Sequence, residues 1–208
     1  RIENADLYKY GSALKAAHDA NGEIFSVSNE VFKVDFSTKG GKIQNVTLLD
    51  PRYTRFAEGE RTEQVQLMQP EHEVFGVELK SVNDNSTFLS DDFTFDVEQS
   101  KEESAEVVRM TLNLSKNSAL TYVYRIYNTG NPSRDYLIDF SIEERDIAQH
   151  IASSEELMLT WRSRSNKNER SYQNENMATN IIYFEEGSME EFDTSGKREK
   201  FENVSWIA

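Results

Sequence analysis

The sequence predicts an all-β fold, an antiparallel sandwich of two sheets behind a short N-terminal helix. Three observations predict it. Apolar residues alternate with polar ones through most of the chain after Ile24, which is the period of a half-buried strand. Turn-forming groups separate these runs: Lys39-Gly40-Gly41, Asn83-Asp84-Asn85, Lys116-Asn117-Ser118 and Thr129-Gly130-Asn131-Pro132. No strand–helix–strand alternation occurs, which argues against a parallel nucleotide-binding sheet. Sheets with one apolar face each must bury those faces against one another, and a sandwich does so.

The first element is the exception to the period of two. Leu7, Tyr10, Leu14 and Ala17 recur at helical spacing, Asn4 or Asp6 suits the start, and Asn21-Gly22 supplies a stop. The spacing predicts an amphipathic helix over residues 6–19, with Gly11 as its weak point. Residues 1–22 are therefore expected to form a helical segment and residues 23–208 a single sandwich domain.

Strands follow in order. Phe32, Val34 and Phe36 alternate with Lys33 and Asp35, and a tight turn at Gly40 and Gly41 leads into residues 43–49. Residues 65–68 and 74–82 come next, and then Phe93, Phe95 and Val97. Val108 to Leu114, Leu120 to Ile126 and Tyr136 to Ile142 each place alternate apolar residues on one face. Residues 157–162, 180–184 and 204–208 complete a set of about ten or eleven strands.

Three polar stretches read as long loops: residues 98–105, 162–177 and 185–203. Loops beyond about 12–15 residues are functional or disordered. The second holds Arg162, Arg164, Lys167 and Arg170, the weak candidates for gripping an acidic partner. The third mixes acids with Lys197, Arg198 and Lys200.

Composition narrows the function. The 208 residues carry 37 acidic and 23 basic side chains, a net charge of −14. That balance lacks the basic footprint of a nucleic-acid binder and would be repelled by anionic lipid. Aromatic residues make up 11%, which fits a folded chain. Cysteine is absent, excluding disulfides, thiolate zinc sites and cysteine nucleophiles. The histidines, His18, His72 and His150, are too far apart in sequence for a paired metal motif. The longest apolar run, residues 181–184, is far short of the roughly 18 needed to span a bilayer. The chain opens on Arg1 and stops at Trp206-Ile207-Ala208, as expected of a piece of something longer.

Tests for chemistry return structural readings. Acidic doublets such as Asp91-Asp92, Glu102-Glu103, Glu143-Glu144, Glu155-Glu156, Glu185-Glu186 and Glu190-Glu191 read as solvated surface. Adjacent carboxylates do not face each other across a cleft as a glycosidase requires. Asn83-Asp84-Asn85 lacks the spacing of a calcium loop and reads as a turn. No Gly-x-Ser-x-Gly elbow occurs, and Lys39-Gly40-Gly41-Lys42 lacks the rest of a phosphate loop. His150, beside Asp146, reads as a lone surface histidine. The sequons at Asn45, Asn85, Asn113 and Asn203 read as composition. No catalytic residue, cofactor or metal ligand is assigned.

Several segments, in order, resemble the large periplasmic domain of the YidC family of bacterial membrane-protein insertases. Val27 to Ile43, running through Ser37-Thr38-Lys39-Gly40-Gly41, looks like the family's opening strand pair. Leu120 to Ile126 followed by Asp135 to Phe140 is similar to its paired central strands. Leu157-Met158-Leu159-Thr160-Trp161, then Glu169-Arg170-Ser171, Glu175 and Ile181 to Phe184, resemble the next block. Val204-Ser205-Trp206-Ile207-Ala208 resembles the strand before the family's last periplasmic helix. Leu48-Leu49-Asp50-Pro51-Arg52-Tyr53 departs from the family's usual Leu-Lys-x-Tyr-like step.

The resemblance implies a twisted two-sheet β-supersandwich of the galactose-mutarotase-like kind on the periplasmic face of the inner membrane. It implies a non-enzymatic interaction and scaffolding module without cofactors, in a multi-pass protein whose membrane groove lowers the cost of moving polar segments. The expected partners are accessory subunits of the Sec translocon and nascent membrane proteins. The fold also suggests a rival, a carbohydrate-binding or mutarotase-like domain, in which His72 or His150 would converge with a carboxylate. Trp206 has two readings, a core side chain or an anchor for a following helix, and the first is favoured.

Overall fold

The computed structural model describes residues 2–57, 59–151, 156–177, 180–185, 187–192 and 204–207. Among them the chain forms helix α1 (Ile2–Asp19) and strands β1 (Ile24–Ser28), β2 (Phe32–Ser37), β3 (Lys42–Leu48), β4 (Thr54–Ala57), β5 (Glu60–Gln64), β6 (Val74–Lys80) and β7 (Thr87–Leu89). Strands β8 (Asp96–Glu102), β9 (Ala105–Asn113) and β10 (Ala119–Tyr127) follow, then the short helix α2 (Pro132–Asp135). Last come β11 (Ile138–Arg145), β12 (Leu159–Arg162), helix α3 (Tyr172–Met177), β13 (Ile182–Glu185), β14 (Ser188–Glu191) and β15 (Val204–Ile207).

The fold is an all-β antiparallel sandwich. One layer is the four-stranded sheet β11-β10-β9-β8. The facing layer holds two three-stranded sheets, β1-β2-β3 and β12-β6-β7. Aromatic contacts fix the facing: the ring of Phe36 in β2 lies 5.1 Å from that of Tyr124 in β10, and Phe75 in β6 meets Tyr122 in β10 edge-on at 5.7 Å. Gln66 bridges Thr47 of β3 and Met68 bridges Ser165, which ties the two halves of that layer together. Val34, Phe36, Val77, Leu79, Met110, Leu112, Leu120 and Tyr122 fill the space between the layers and are fully buried. Burying each such side chain is worth roughly 1.5–3 kcal/mol against exposure.

Helix α1 packs on this core and differs from its sequence expectation. It begins at Ile2, upstream of the expected start at Asp6, and Gly11 breaks it with φ 75° and ψ 173°. That conformation is open to glycine and few other residues. The break rotates the first half, so Leu7 is exposed while Leu14 is buried, and the expected single stripe does not form. It also frees two carbonyls. Asn83 Nδ2 donates to Tyr8 O and Ser81 Oγ donates to Lys9 O at 2.6 Å. At the far end Thr94 N donates to Ala17 O and Lys39 Nζ to His18 O, both at 2.9 Å.

Three readings need correction, and the first is residues 65–68, which form only single bridges at Gln66 and Met68. Phe93 and Phe95 are buried, but they belong to a segment that crosses between the layers, where Gly40 N donates to Phe93 O and Phe95 N to Thr38 O. Pairing with β9 starts only at Asp96, opposite Thr111. Residues 98–105, read as a loop, are instead most of β8, the turn after it and the first residue of β9, with Glu102 paired to Ala105. Every residue of β8 is exposed because it is an edge strand overhanging the core, so its sequence carries no apolar period. The hairpin β4–β5 is likewise polar and was not legible. Within the stretch 185–203, residues 188–191 form β14. Lys197, Arg198, Lys200 and Asn203 lie outside the described residues, as do Glu155, Glu186 and the side chain of Trp206.

Candidate partner-binding surface

The turn at Gly40 and Gly41 is the hub that holds the layers. Their φ values are 84° and 61°. A Cβ on Gly40 would sit 2.5 Å from Asp91 Oδ1, and one on Gly41 2.9 Å from the Phe95 ring. Behind the turn Lys42 Nζ donates to Asp91 Oδ1 at 2.7 Å and to Glu73 O at 2.6 Å. Tyr124 Oη donates to Gly41 O at 2.8 Å. Asp91 is thus half-buried and ion-paired, which corrects its reading as solvated surface: the cation that neutralises it is 49 residues away in sequence.

From this hub the chain runs through Glu73 to the basic loop. Glu73 is buried, and its Oε1 accepts from Ser163 Oγ at 2.8 Å and Arg164 N at 3.1 Å. The carboxylate bridges a gap in the pairing, since β12 pairs β6 up to Arg162–Val74 and pairing resumes at Met68–Ser165. Gln69 N donates to Arg164 O at 2.9 Å, and Asn166 Nδ2 to Met68 O at 2.7 Å. Phe56 N donates to Asn168 O at 2.7 Å, and Asn168 N to Glu175 Oε1 of α3 at 2.8 Å. Residues 162–177 are therefore pinned along most of their length and end in a helix, where a long loop was expected.

The four basic candidates are all exposed on this pinned segment. Arg162 closes β12 opposite Val74. Arg164 Nη1 lies 3.4 Å from His72 Nε2, and the Arg170 guanidinium stands 5.9 Å over the Phe56 ring. Lys167 lies between them in sequence, in the exposed span following Asn166. They form a basic rim against Glu169 alone between residues 158 and 170, in a chain of charge −14. Beside them stand apolar side chains that sequence reasoning did not single out as surface. Met158 is 57% exposed and Trp161 58%. The signal available was a tryptophan in a short strand next to a cationic stretch.

Several charged groups elsewhere are paired with one another. On the outer face of the four-stranded sheet Arg109 pairs with Glu143, Arg125 with Glu102, and Arg134 with Asp139. A shallow hollow of about 170 Å³ beside Asn29 and Ser104 is lined by Lys101, Glu102 and Glu106, with Lys101 bonded to Glu106 at 2.9 Å.

His72 and His150 do not assemble an acid–base site. His150 is buried in a 3-10 turn, not on the surface as read, and burial pushes its imidazole pKa down. Its ring contacts Gln149 and the ring of His72 contacts Arg164, and among the described residues neither is hydrogen-bonded to a carboxylate. The described residues also hold no cluster of metal-ligating side chains. No described helix is long and apolar enough to cross a membrane.

Comparison with known proteins places this geometry. The profile of one family, described as the YidC periplasmic domain, matches residues 25–208. A protein of Azobacteroides pseudotrichonymphae genomovar. CFP2 named membrane protein insertase YidC is 24% identical over 183 residues. The alignment covers 88% of this chain and 27% of that relative, so the chain spans about a quarter of the relative's length. No solved structure matches the chain significantly.

Proposed function

The chain belongs to the YidC periplasmic domain family, and from that premise we propose that it is the non-enzymatic, cofactor-free interaction and scaffolding module of a multi-pass inner-membrane insertase. The single observation that supports this reading is the extent of the match. It opens at the second residue of β1 and runs to residue 208, so it takes in the sandwich except Ile24 and leaves α1 and the link after it outside. The module works on the periplasmic face of the inner membrane, where its negative charge holds its body away from anionic headgroups. Its partners are accessory subunits of the Sec translocon and nascent membrane proteins. The basic rim Arg162, Arg164, Lys167 and Arg170 is the surface we assign to them, because a pinned cationic segment keeps its geometry before a partner arrives and so lowers the ordering cost of binding.

Co-purification tests this. Immobilised chain is expected to retain detergent-solubilised Sec accessory subunits, and charge reversal at Arg162→Glu and Arg164→Glu is expected to weaken retention at least fivefold. Saturable binding of an aldose, with anomer exchange followed by polarimetry, would replace the scaffold reading with the carbohydrate one.

A further inference from the structure

β12 is an edge strand of the sheet β12-β6-β7. Glu78 N donates to Met158 O at 2.8 Å, and the register sets Leu159 opposite Val77 and Trp161 opposite Phe75. Residues 158, 160 and 162 therefore spend their backbone groups on β6, and alternation turns the N–H and C=O of Leu159 and Trp161 outward. The other side of β6 confirms the phase, because Phe75 N and Val77 N point away from β12, to Asp91 Oδ1 and Ser90 Oγ. Among the described residues nothing pairs with that outer edge.

The side chains on this edge are apolar and exposed. Trp161 packs edge-on against Phe75 at 6.1 Å, and Phe75 against Phe140 of β11 at 5.2 Å, so Trp161 and Leu159 continue the core face past the rim of the sandwich. Edge strands in monomeric proteins are usually blocked by charge. β8 follows that rule with Asp96, Glu98, Lys101 and Glu102, and β11 with Asp139, Glu143, Glu144 and Arg145. β12, Leu-Thr-Trp-Arg, carries no acid and leads directly into Ser163-Arg164 and the basic rim.

We propose that β12 captures an extended polypeptide segment by strand addition, the segment bearing apolar residues at alternate positions and acidic residues beside the Arg162–Arg164 end. Unpaired backbone groups supply the affinity, Leu159 and Trp161 select alternate apolar side chains, and the local cations select acids. A second copy of this chain is the poorer occupant, because two bodies of charge −14 repel each other. The proposal rests on the reading of the chain as an interaction module and names the chemistry of its partner.

The test titrates the full 208-residue chain with a fluorescein-labelled peptide of alternating valine and threonine carrying two glutamates at the end that meets Arg164. Anisotropy is expected to show saturable binding, with slowed hydrogen exchange at the Leu159 and Trp161 amides. Leu159→Pro deletes one outward N–H without touching an inward one, and is expected to weaken binding at least tenfold. If that variant does not fold, Trp161→Ala with Arg162→Glu carries the same expectation. Lysines in place of the peptide's glutamates are expected to weaken it at least fivefold. Unchanged binding in the variants, unprotected amides, or dimerisation through β12 in sedimentation would each overturn the proposal. Retention of Sec subunits by the Leu159→Pro chain would then leave the module reading standing, and its loss from all variants and the parent would end both.

Discussion

Lys42 and Asp91 meet at 2.7 Å behind the Gly40–Gly41 turn, and the approach is possible only because position 40 has no side chain. Their side chains are 12% and 16% exposed, so the pair is shielded from solvent without being fully desolvated. Removing one partner strands the other, and Asp91→Ala also takes the acceptor from Phe75 N. Lys42→Met is expected to cost about 2–3 kcal/mol, somewhat less than breaking a fully buried pair. Gly40→Ala is expected to cost about 1–3 kcal/mol through its positive φ and its clash with Asp91. Urea unfolding of the single variants and of Gly40→Ala with Asp91→Ala checks this: the double variant is expected to be more stable than the sum of the singles, since the clash is gone.

The kink at Gly11 makes α1 dependent on the β6–β7 turn. Ser81→Ala removes the donor to Lys9 O and is expected to lower stability by about 1 kcal/mol. Gly11→Ala meets no atom within 4 Å, so its penalty is conformational, about 1–3 kcal/mol. Thermal melting of both variants, with exchange rates of α1 amides, measures the two effects separately.

His150 links stability to pH. Its folded pKa is depressed by burial, so below the ordinary imidazole value of about 6.5 the unfolded chain binds a proton that the folded chain refuses. Stability is therefore expected to fall as pH drops below about 6.5, a decline that begins above the range where ordinary carboxylates titrate. His150→Gln is expected to flatten that limb in urea unfolding measured at intervals of pH. A parallel decline in the variant would show that another group is responsible.

Tyr122 is held in the core by its hydroxyl. Ser90 Oγ lies at 2.7 Å and Val77 N donates to it at 3.2 Å, while burial pushes its pKa up to about 12. Tyr124 is raised by the same cause. Spectrophotometric titration is expected to leave these two of the nine tyrosines unionised until the fold opens in alkali. Tyr122→Phe is expected to cost about 1–2 kcal/mol, because Val77 N then keeps only Ser90 as a partner.

The fold was legible where alternation coincided with burial. Leu120, Tyr122, Tyr124 and Ile126 all face inward as their period of two requires. It was illegible where strands overhang the core: Asp96 to Glu102 pair fully with β9 yet bury nothing, so pairing leaves no apolar trace. Phe93 and Phe95 misled for the opposite reason, being buried plugs that flank the single Thr94–Lys39 bridge, ahead of the ladder with β9. The basic rim was visible as composition, but its hydrogen-bonded anchoring was not. That depends on the Glu73 carboxylate meeting Ser163 and Arg164, some 90 residues on. The Leu159–Trp161 edge needed the register with β6, which no local sequence feature records.

The central claim is that this sandwich binds other polypeptides through the β12 edge and the basic rim. Site-specific photocrosslinking in the full-length reading frame tests it most directly, with benzoylphenylalanine placed at Leu159, at Lys167 and, for comparison, at Glu98 on the charged β8 edge. Adducts with nascent membrane proteins or Sec subunits at Leu159 and Lys167, and none at Glu98, are the predicted result. Adducts at Glu98 alone, or equally at all three positions, would contradict the claim.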